Sequence, residues 1–455
     1  MSFQDFKDIT TRAMVSKTID GIYKYVEHDR SQGLLKLVDI SEKLMGDEFG
    51  HEVFKSAREL ILNPDAKWMK YTYQLLDEID PYVAKMHVLN LGYQAGFYGF
   101  AKTSQFEKEH GYRIPWIILM DPTSACNMHC TGCWAAEYGH QMNLSYDDME
   151  SIVSQGEELG IYFYMMTGGE PLMRKKDILK LAKKHHKSMF YAFTNGTLID
   201  EALCLEMKRL GNISLALSIE GFEEVNDARR GQGCFDQVIQ AMALLKKHGL
   251  VFGTSICYTS ANYQTVTSDA FLDFLIAQGV RYTWYFHYMP VGNDAVTDLL
   301  LTPSQREYMY HRIREIRGLE GGKPIFAFDF QNDGEFVGGC IAGGRFYCHI
   351  NPHGDVEPCV FIHYSNANIH EQSLLDCLSQ PLFKLYQQGQ PFNHNHLQPC
   401  AMLENPEKLV KIVEATGAIS TDMQSPESVH HLCHKCENYA KEWAFTAKRL
   451  MKETS

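Results

Sequence analysis

Three cysteines lie within eight residues of one another, at Cys126, Cys130 and Cys133. Thiolates bind iron and zinc, so three of them in one short loop can converge on a single metal centre. The C-x3-C-x2-C spacing differs from the usual zinc arrangement, in which two close cysteines face a distant second pair. It suits an iron–sulfur cube that leaves one iron open to a ligand from outside the protein. A structural zinc site or a redox-sensing loop is the alternative.

Composition and charge narrow the class of protein. The formal net charge of −13 argues against binding to nucleic acid. A hydrophobic content of 45% and a charged content of 22% are typical of a soluble globular protein. The sequence has no run of about 18 apolar residues and no signal-peptide pattern, so we expect no transmembrane segment and a cytoplasmic location. Its 13 cysteines are then expected to be metal ligands or free thiols rather than disulfides.

Strand-like and helix-like segments alternate through the middle of the chain, from about residue 114 to residue 317. This alternation predicts an α/β fold in which crossover helices join parallel strands. The six expected strands are 116–120, 162–166, 190–193, 213–218, 252–258 and 282–286. Residues 1–112 have helical periodicity, with an apolar, aromatic run at 82–101. We expect that run to pack on the next domain, or else to form an apolar groove or membrane-surface helix for a hydrophobic substrate.

Small, polar or charged residues follow the second, third and fourth of these strands, where βα barrels carry their chemistry. Glycines allow a backbone to approach a ligand closely, and a carboxylate can accept hydrogen bonds from an ammonium group. A guanidinium group can bind a carboxylate through two nitrogens. The residues at these positions are Gly168, Gly169, Glu170, Asn195, Ser218 and Arg230. Each alone could be part of a turn or a surface ion pair.

The cysteine loop and the ordered strand-end residues resemble the radical S-adenosylmethionine (SAM) superfamily, whose signature has this cysteine spacing. The resemblance implies a partial (β/α)6 TIM-like barrel and a [4Fe–4S] cluster on Cys126, Cys130 and Cys133. It also implies that SAM binds the open iron. By position in the family pattern, Gly168, Gly169 and Glu170 would hold the amino group of SAM, and Asn195 and Ser218 its ribose and carboxylate. Arg230 would bind the carboxylate.

One position departs from the family pattern. The family usually places an aromatic residue directly before the third cysteine, against the adenine of SAM, but here that residue is Gly132. Trp134 follows Cys133 instead. Either Trp134 takes over the adenine contact, or the adenine is held by other groups.

A second group of cysteines lies in the C-terminal third of the chain. Cys340, Gly354 and Cys359 fit C-x13-G-x4-C, which resembles the start of the auxiliary-cluster (SPASM or twitch) extension of radical SAM enzymes. The hairpin 349–360, turning at Gly354, is expected to bring Cys340 and Cys359 together. The resemblance implies one auxiliary [4Fe–4S] cluster, with Cys400 as the third ligand. The candidates for a fourth ligand are Cys348, Cys433, Cys436 or a group other than cysteine.

Several other residues near these motifs have simpler interpretations. Three cysteines, Cys204, Cys234 and Cys257, fall in predicted barrel elements and are expected to be packed thiols. His349 and His363 are the histidines that we consider as ligands or proton donors near the auxiliary site. We therefore expect three domains: a helical domain at 1–112, a radical SAM core at 113–322 and an auxiliary-cluster domain at 323–455.

The resemblance implies an enzyme that reductively cleaves SAM to a 5′-deoxyadenosyl radical and abstracts hydrogen from an unactivated carbon. Its substrate would be a peptide or a hydrophobic, lipid-like molecule, and its reaction class oxidoreductase or bond-forming. It would take electrons from a one-electron reductant such as flavodoxin or ferredoxin. Peripheral contact with a membrane is compatible with this interpretation, and the motif Asp121-Pro-Thr-Ser-Ala-Cys126 resembles proteins common in anaerobes. The alternative is an iron–sulfur electron carrier or sensor that retains the fold without cleaving SAM.

Overall fold

A nine-stranded sheet organises the computed structural model, which describes residues 3–454. Its strands are β1 Ile117–Met120, β2 Phe163–Met166, β3 Met189–Thr194, β4 Ile213–Ser218, β5 Phe252–Tyr258, β6 Tyr282–His287, β7 Phe326–Asp329, β8 Tyr347–Ile350 and β9 Val356–Glu357. Strands β1 to β6 are parallel and lie side by side in chain order. This arrangement confirms the predicted α/β fold, and each of the six predicted strands is observed to within one residue.

Helices connect the parallel strands, as expected for crossover connections. The helices of this central region are α7 Tyr146–Leu159, α8 Lys175–Lys184, α9 Glu201–Leu210, α10 Glu223–Arg230, α11 Cys234–Lys247, α12 Asp269–Ala277 and α13 Pro303–Arg317. Side-chain caps begin several of them; Ser145 forms a reciprocal capping box with Asp148 at the start of α7. The apolar faces of these helices and the outward faces of the strands form one large buried core.

Strands from the C-terminal third extend the sheet at both edges. β7 pairs in parallel with β6, and β8 pairs in parallel with β1. β9 turns back antiparallel on β8 with His349 opposite Glu357, which confirms the predicted hairpin. Because an edge strand has unpaired backbone groups, adding a strand at each edge satisfies them. The predicted domain limits remain a prediction, since strands on both sides of residue 322 share this sheet.

The remaining C-terminal elements pack beside the sheet. They are α14 Gly334–Val337, α15 Leu374–Leu378, α16 Pro381–Gln388, α17 Pro406–Thr416 and α18 Val429–Thr454, together with the two-stranded pair of β10 Tyr364–Ser365 and β11 Ile419–Ser420. Cys359, Leu382, Tyr386, Leu409 and Trp443 belong to a second buried core that also includes inward-facing residues of the sheet.

The N-terminal region is helical, as predicted. Its helices are α1 Phe3–His28, α2 Arg30–Phe49, α3 His51–Ile61, α4 Lys67–Glu78, α5 Pro81–His87 and α6 Phe100–His110, with a π-helix at Val88–Gly99. The π-helix packs where the strands begin: Trp116 donates to the carbonyl of Ala95 at 2.7 Å, and Asn90 donates to the carbonyl of Ser188 at 3.2 Å. The apolar run therefore packs on the barrel, which is the first of its two predicted roles.

A separate apolar cavity lies between the N-terminal helices and the beginnings of the strands. Ile19, Leu34 and Leu75 line it from the helices, and Tyr191 and Tyr282 line it from β3 and β6. No helix within the described part of the chain is long and apolar enough to cross a membrane.

A buried ion pair joins the central region to the C-terminal elements. Arg306 on α13 and Glu404 are both fully buried and form a salt bridge. Arg306 also donates to Asn332 at 3.0 Å and to the hydroxyl of Tyr439 on α18 at 3.1 Å. Removal of one partner leaves a buried charge unpaired. The pair should therefore hold together α13, the segment that contains Glu404, and α18.

We expect the substitution Arg306→Met to destabilise the protein by about 3 kcal/mol, because it leaves the Glu404 carboxylate buried without a counter-ion. Arg449→Met is the control, since Arg449 is about half exposed in its ion pairs with Glu307 and Glu453. That change should cost about 0.5 kcal/mol or less. Differential scanning calorimetry of both variants measures the effect, and equal melting temperatures would contradict it.

Candidate active site and cluster-binding cysteines

One cavity opens at the carboxyl ends of the parallel strands and brings most of the predicted site residues together. The space within it is about 1360 Å³ when the open mouth is included. The predicted residues that line it are Cys126, Cys130, Cys133, Trp134, Gly169, Glu170, Asn195, Ser218 and Arg230. Gly168 directly precedes Gly169 in the sequence but does not line the cavity.

The three cysteines fit an iron–sulfur cluster by their chemistry. Their thiols line the same cavity, and none of them forms a disulfide. Burial raises the pKa of the Cys126 thiol to about 11, so the apolar surroundings alone favour the protonated form, and a bound metal would reverse this preference. Within the described residues no three His, Cys, Asp or Glu side chains are close enough to bind a single metal ion.

The two glycines after β2 hold the cysteine loop in place. A side chain at Gly169 would put its Cβ 2.2 Å from the carbonyl oxygen of Ala125, and one at Gly168 would lie 2.6 Å from that of Thr123. The amide of Gly169 donates to Thr123 at 2.9 Å, and the amide of Glu170 donates to Ala125 at 2.8 Å. The Gly-Gly sequence therefore allows close contact between two backbone segments, in addition to any contact with a ligand.

Glu170 is buried and already has several hydrogen-bond donors around its carboxylate. The amides of Leu172 and Asn195 donate to it at 2.9 Å and 2.7 Å, and the hydroxyl of Thr194 donates at 2.7 Å. Burial raises the pKa of Glu170, although these donors and the Arg230 guanidinium oppose the shift. Since a carboxylate has about four acceptor positions, Glu170 retains capacity for a further donor from a ligand.

Asn195 and Ser218 stand at the ends of β3 and β4, as predicted. The side-chain amide of Asn195 donates to Asn127 at 2.8 Å, which ties the end of β3 to the cysteine loop. Its oxygen accepts from Thr197. Ser218 is the last residue of β4 and lines the cavity.

Arg230 belongs to a charge cluster that the sequence analysis did not identify. Arg229 and Arg230 both bind one carboxylate oxygen of the fully buried Glu220, and the other oxygen accepts from the amide of Cys257 at 3.1 Å. The carbonyl of Arg229 accepts from the amide of Thr131 in the cysteine loop at 3.0 Å. The sequence could have identified Glu220 as a site residue, because it lies two residues after β4, where βα barrels carry functional side chains.

Cys257 lines the same cavity, on β5. The prediction that it is a packed thiol was wrong, because it lies on the inner face of the sheet and lines the cavity beside its partner on β6, Phe286. Burial raises its pKa to about 11, although Arg229 favours the thiolate. Cys204 is buried within α9, and Cys234 is buried at the start of α11, as predicted.

Trp134 lies where the cysteine loop meets the C-terminal hairpin. Its ring contacts those of His349, Phe361 and His363 edge-on, with centroids 5.9 to 6.2 Å apart. Both histidines are buried and paired with acids: His349 lies between Asp121 and Glu357, and His363 binds Asp422. Burial lowers the pKa of His349, but the two carboxylates raise it to about 10. These ion pairs explain why both histidines are buried here, without a role in metal binding.

The predicted auxiliary ligands Cys340, Cys359 and Cys400 all lie near the buried hydroxyl of Tyr386. Cys340 lies 3.4 Å from the hydroxyl of Tyr386, and the thiols of all three cysteines interact electrostatically with that hydroxyl. The three thiols are therefore a suitable donor set for a second cluster. Ile341 and Val360 directly follow two of these cysteines and line the active-site cavity.

The candidates for a fourth auxiliary ligand lie in different places. Cys348 on β8 packs with Cys377 in the core beneath the helices, away from the second core that contains Cys359. Cys433 and Cys436 on α18 are buried in that second core. Among non-cysteine groups, the carboxylate of Glu404 accepts from the amide of Cys400 at 2.7 Å. Cys433, Cys436 and Glu404 therefore remain candidates for the fourth ligand.

Comparison with known proteins agrees with this geometry. Residues 120–274 match the model of the radical SAM superfamily, and residues 340–402 match that of an iron–sulfur cluster-binding domain, SPASM. The chain contains a radical SAM domain and a SPASM domain. It is 27% identical to the mycofactocin maturase MftC of Mycolicibacterium smegmatis, over 56% of this chain and 67% of that protein. To the AdoMet-dependent heme synthase of Nitratidesulfovibrio vulgaris it is 25% identical, over 56% and 76%.

Solved structures of radical SAM enzymes share the fold. Streptococcus suis SuiB bound to the precursor peptide SuiA superposes with a TM-score of 0.53 and 19% identity, over 67% of this chain and 71% of SuiB. Native anSMEcpe with bound AdoMet superposes with a TM-score of 0.51 and 17% identity, over 74% of this chain and 100% of that one. At these identities the likeness concerns the fold alone.

We expect Gly169→Ala to lower the iron content of the anaerobically reconstituted protein by at least about the iron of one [4Fe–4S] cluster per chain. Its new methyl group would displace the Ala125 carbonyl and with it the cysteine loop. Gly92→Ala is the matched control, because a Cβ there meets no atom within 4 Å. Iron and sulfide analysis of both variants measures the effect, and equal iron in both would show that the contact does not position the thiols.

Proposed function

We propose that this protein is a radical SAM enzyme that reductively cleaves SAM to a 5′-deoxyadenosyl radical and abstracts hydrogen from an unactivated carbon. The substrate is a peptide or a hydrophobic, lipid-like molecule, and a one-electron reductant such as flavodoxin or ferredoxin supplies the electron. The observation that carries the proposal is the single cavity shared by three thiols and the strand-end residues. The 13 cysteines, with no disulfide among those described, suit a reducing, anaerobic cytoplasm.

The residues of the cavity have separate roles in this proposal. Cys126, Cys130 and Cys133 hold the [4Fe–4S] cluster, which supplies one-electron cleavage of a carbon–sulfur bond in SAM. Glu170 accepts hydrogen bonds from the amino group of SAM through its remaining lone pair. Arg230 faces the carboxylate of SAM.

Trp134, Asn195 and Ser218 surround the rest of the nucleoside in this proposal. The Glu220 carboxylate fixes the Arg229 and Arg230 guanidinium groups at the cavity wall before SAM binds.

The second group of thiols includes two that directly precede residues of the cavity lining. Cys340, Cys359 and Cys400 would hold one auxiliary [4Fe–4S] cluster, which takes up an electron or holds substrate. Support comes from Ile341 and Val360, since both line the cavity and each directly follows one of these cysteines. A product-forming electron would then have a short route out of the cavity.

An iron–sulfur carrier or sensor without SAM cleavage is the alternative function. The buried Glu170 and the paired Arg229 and Arg230 favour the enzyme, because a carrier of electrons has no need for groups that bind an amino acid. The two functions differ in a single product. Only the enzyme forms 5′-deoxyadenosine from SAM after reduction.

We expect the reconstituted protein to form 5′-deoxyadenosine and methionine when dithionite and SAM are added without oxygen. Cys130→Ala should abolish this product, because it removes one thiolate of the SAM-binding cluster. Cys257→Ala is the matched control: its thiol lines the same cavity outside the three-cysteine motif, and it should keep the cluster iron. Liquid chromatography with mass spectrometry measures the product. Cluster loading without 5′-deoxyadenosine would support the carrier instead.

We expect Cys400→Ala to halve the bound iron, from about eight to about four atoms per chain, because the auxiliary cluster loses a thiolate. The SAM-binding cluster should stay, so 5′-deoxyadenosine should still form in the absence of substrate. Iron analysis and electron paramagnetic resonance of the reduced protein measure the two clusters. Retention of all the iron would show that Cys400 is not a ligand.

A further inference from the structure

The cavity has two chemically different sides. The polar side carries the cysteines and strand-end residues already described. The opposite side is apolar and aromatic, and its members include Leu119, Met165, Phe193, Trp284, Phe286 and Phe330. They come from β1, β2, β3, β6 and the end of β7, so five separate parts of the sheet contribute to this one surface.

The charged side chains that line the cavity in the described structure are all paired within the protein. Arg229 and Arg230 bind Glu220. Glu170 accepts three hydrogen bonds and lies on the polar side. The ring of His287 is bonded to the Tyr288 carbonyl and the Tyr439 hydroxyl, and burial lowers its pKa to about 3, so it is neutral near pH 7. The apolar side therefore offers nothing to neutralise a charged group of a substrate.

The aromatic side continues as a ribbon toward the end of the sheet. Phe193 contacts Trp284 edge-on, and Trp284 stacks on Phe328 of β7 with ring centroids 4.4 Å apart. Phe328 in turn contacts Phe326 at 4.7 Å, and Phe326 is 39% exposed. Phe326, Phe328 and Phe330 alternate along β7, so they share a face about 13 Å long. Phe326 and Phe328 do not line the cavity, so the ribbon packs behind the aromatic residues that do.

Small residues on the middle strands leave room beside this ribbon. Ser218 on β4 and Ser255 and Cys257 on β5 line the cavity between the large side chains of β3 and β6. The cavity therefore has a strip of small side chains between the large aromatic side chains of β3 and β6.

The hydrogen-bonding capacity of this wall distinguishes a hydrocarbon chain from a peptide. A peptide brings an N–H and a C=O group with every residue, and each costs free energy if it is buried without a partner. The indole N–H of Trp284 finds no partner within the described residues, and the hydroxyl of Tyr347 is bonded to Val360 and Cys359. Together with the unpaired Nε–H of Arg229 this makes two donors, which do not satisfy several amide groups, whereas methylene groups need none.

We propose that the substrate part bound next to SAM is a hydrocarbon chain, such as an acyl chain of a lipid. This inference rests on the proposed function and names its substrate class. One hydrogen atom moves, with its electron, from a methylene carbon of the chain to the 5′ carbon of the nucleoside. A C–H bond of the chain breaks, a C–H bond of 5′-deoxyadenosine forms, and the unpaired electron stays on the chain carbon.

The experiment uses the reconstituted full chain with both cysteine sites loaded, dithionite and SAM. Three deuterated probes are supplied separately: phosphatidylglycerol vesicles with perdeuterated palmitoyl chains, perdeuterated palmitate, and a tryptic digest of uniformly deuterated bacterial protein. Mass spectrometry of 5′-deoxyadenosine reports the source of the abstracted hydrogen. We expect deuterium from the vesicles or the palmitate, and the comparison of these two identifies esterified or free chains as the source.

Each outcome has a separate meaning. Deuterium from either chain probe, at least about tenfold above the peptide digest, supports the inference. Deuterium from the peptide digest alone overturns it in favour of a peptide substrate. Formation of 5′-deoxyadenosine without deuterium from the chain probes also overturns it, while the proposed SAM cleavage stands. Absence of 5′-deoxyadenosine with every probe contradicts the proposed function itself.

A charged residue in the apolar wall provides a second test. Phe193→Glu should lower deuterium transfer from the chain probe at least tenfold, because it buries a carboxylate against the chain, whereas Phe193→Leu should stay within about threefold. Phe445→Glu is the matched control, since Phe445 is 81% exposed on α18 and should leave the transfer unchanged. Iron content and circular dichroism check that each variant is folded. Equal transfer by Phe193→Glu and Phe445→Glu would contradict the location of the chain.

Discussion

The close contact between the turn after β2 and the cysteine loop is the constraint on which the site depends. The loop has little regular secondary structure, so its position comes from contacts with neighbouring strand ends. The amides of Gly169 and Glu170 donate to the loop's carbonyls, and the absence of a side chain at Gly169 allows that approach. Asn195 and Arg229 hold the loop from β3 and α10. The three thiols thereby face the ends of the strands that carry the other cavity residues.

The strands that extend the sheet determine where the two groups of cysteines lie relative to each other. β8 pairs with β1, whose end leads into the cysteine loop, and the hairpin of β8 and β9 carries His349 and Glu357. His349 bridges Glu357 to Asp121, which directly follows β1. This buried pairing of acids and imidazolium links the SPASM domain to the radical SAM domain. It also places the residues after Cys340 and Cys359 at the wall of the cavity.

The period of two in a β-strand explains why the cavity has one polar and one apolar side. Inward residues of β3, β6 and β7 are aromatic, and inward residues of β4 and β5 are small. Polar groups occur at the strand ends, where turns leave the sheet. The polar side carries the cysteine motif of the radical SAM domain, whereas we propose that the apolar side selects among substrates.

Sequence reasoning succeeded where the signal is local and failed where distant segments meet. The six strands follow from short periodic patterns, and the spacing of Cys126, Cys130 and Cys133 is itself local. Cys257 was misread because its strand alone does not show which face points inward. The pairing of Glu220 with two arginines was missed, since each residue on its own resembles a surface charge.

The order of elements, the two cysteine groups and the α/β class were determined by the sequence alone, because periodicity and spacing act over a few residues. Only the tertiary structure decided that β7 and β8 complete the sheet, and that Cys340, Cys359 and Cys400 lie near the hydroxyl of Tyr386. It also decided that aromatic residues from three strands form one wall. The physical reason is that edge pairing and side-chain convergence depend on contacts between segments tens to hundreds of residues apart.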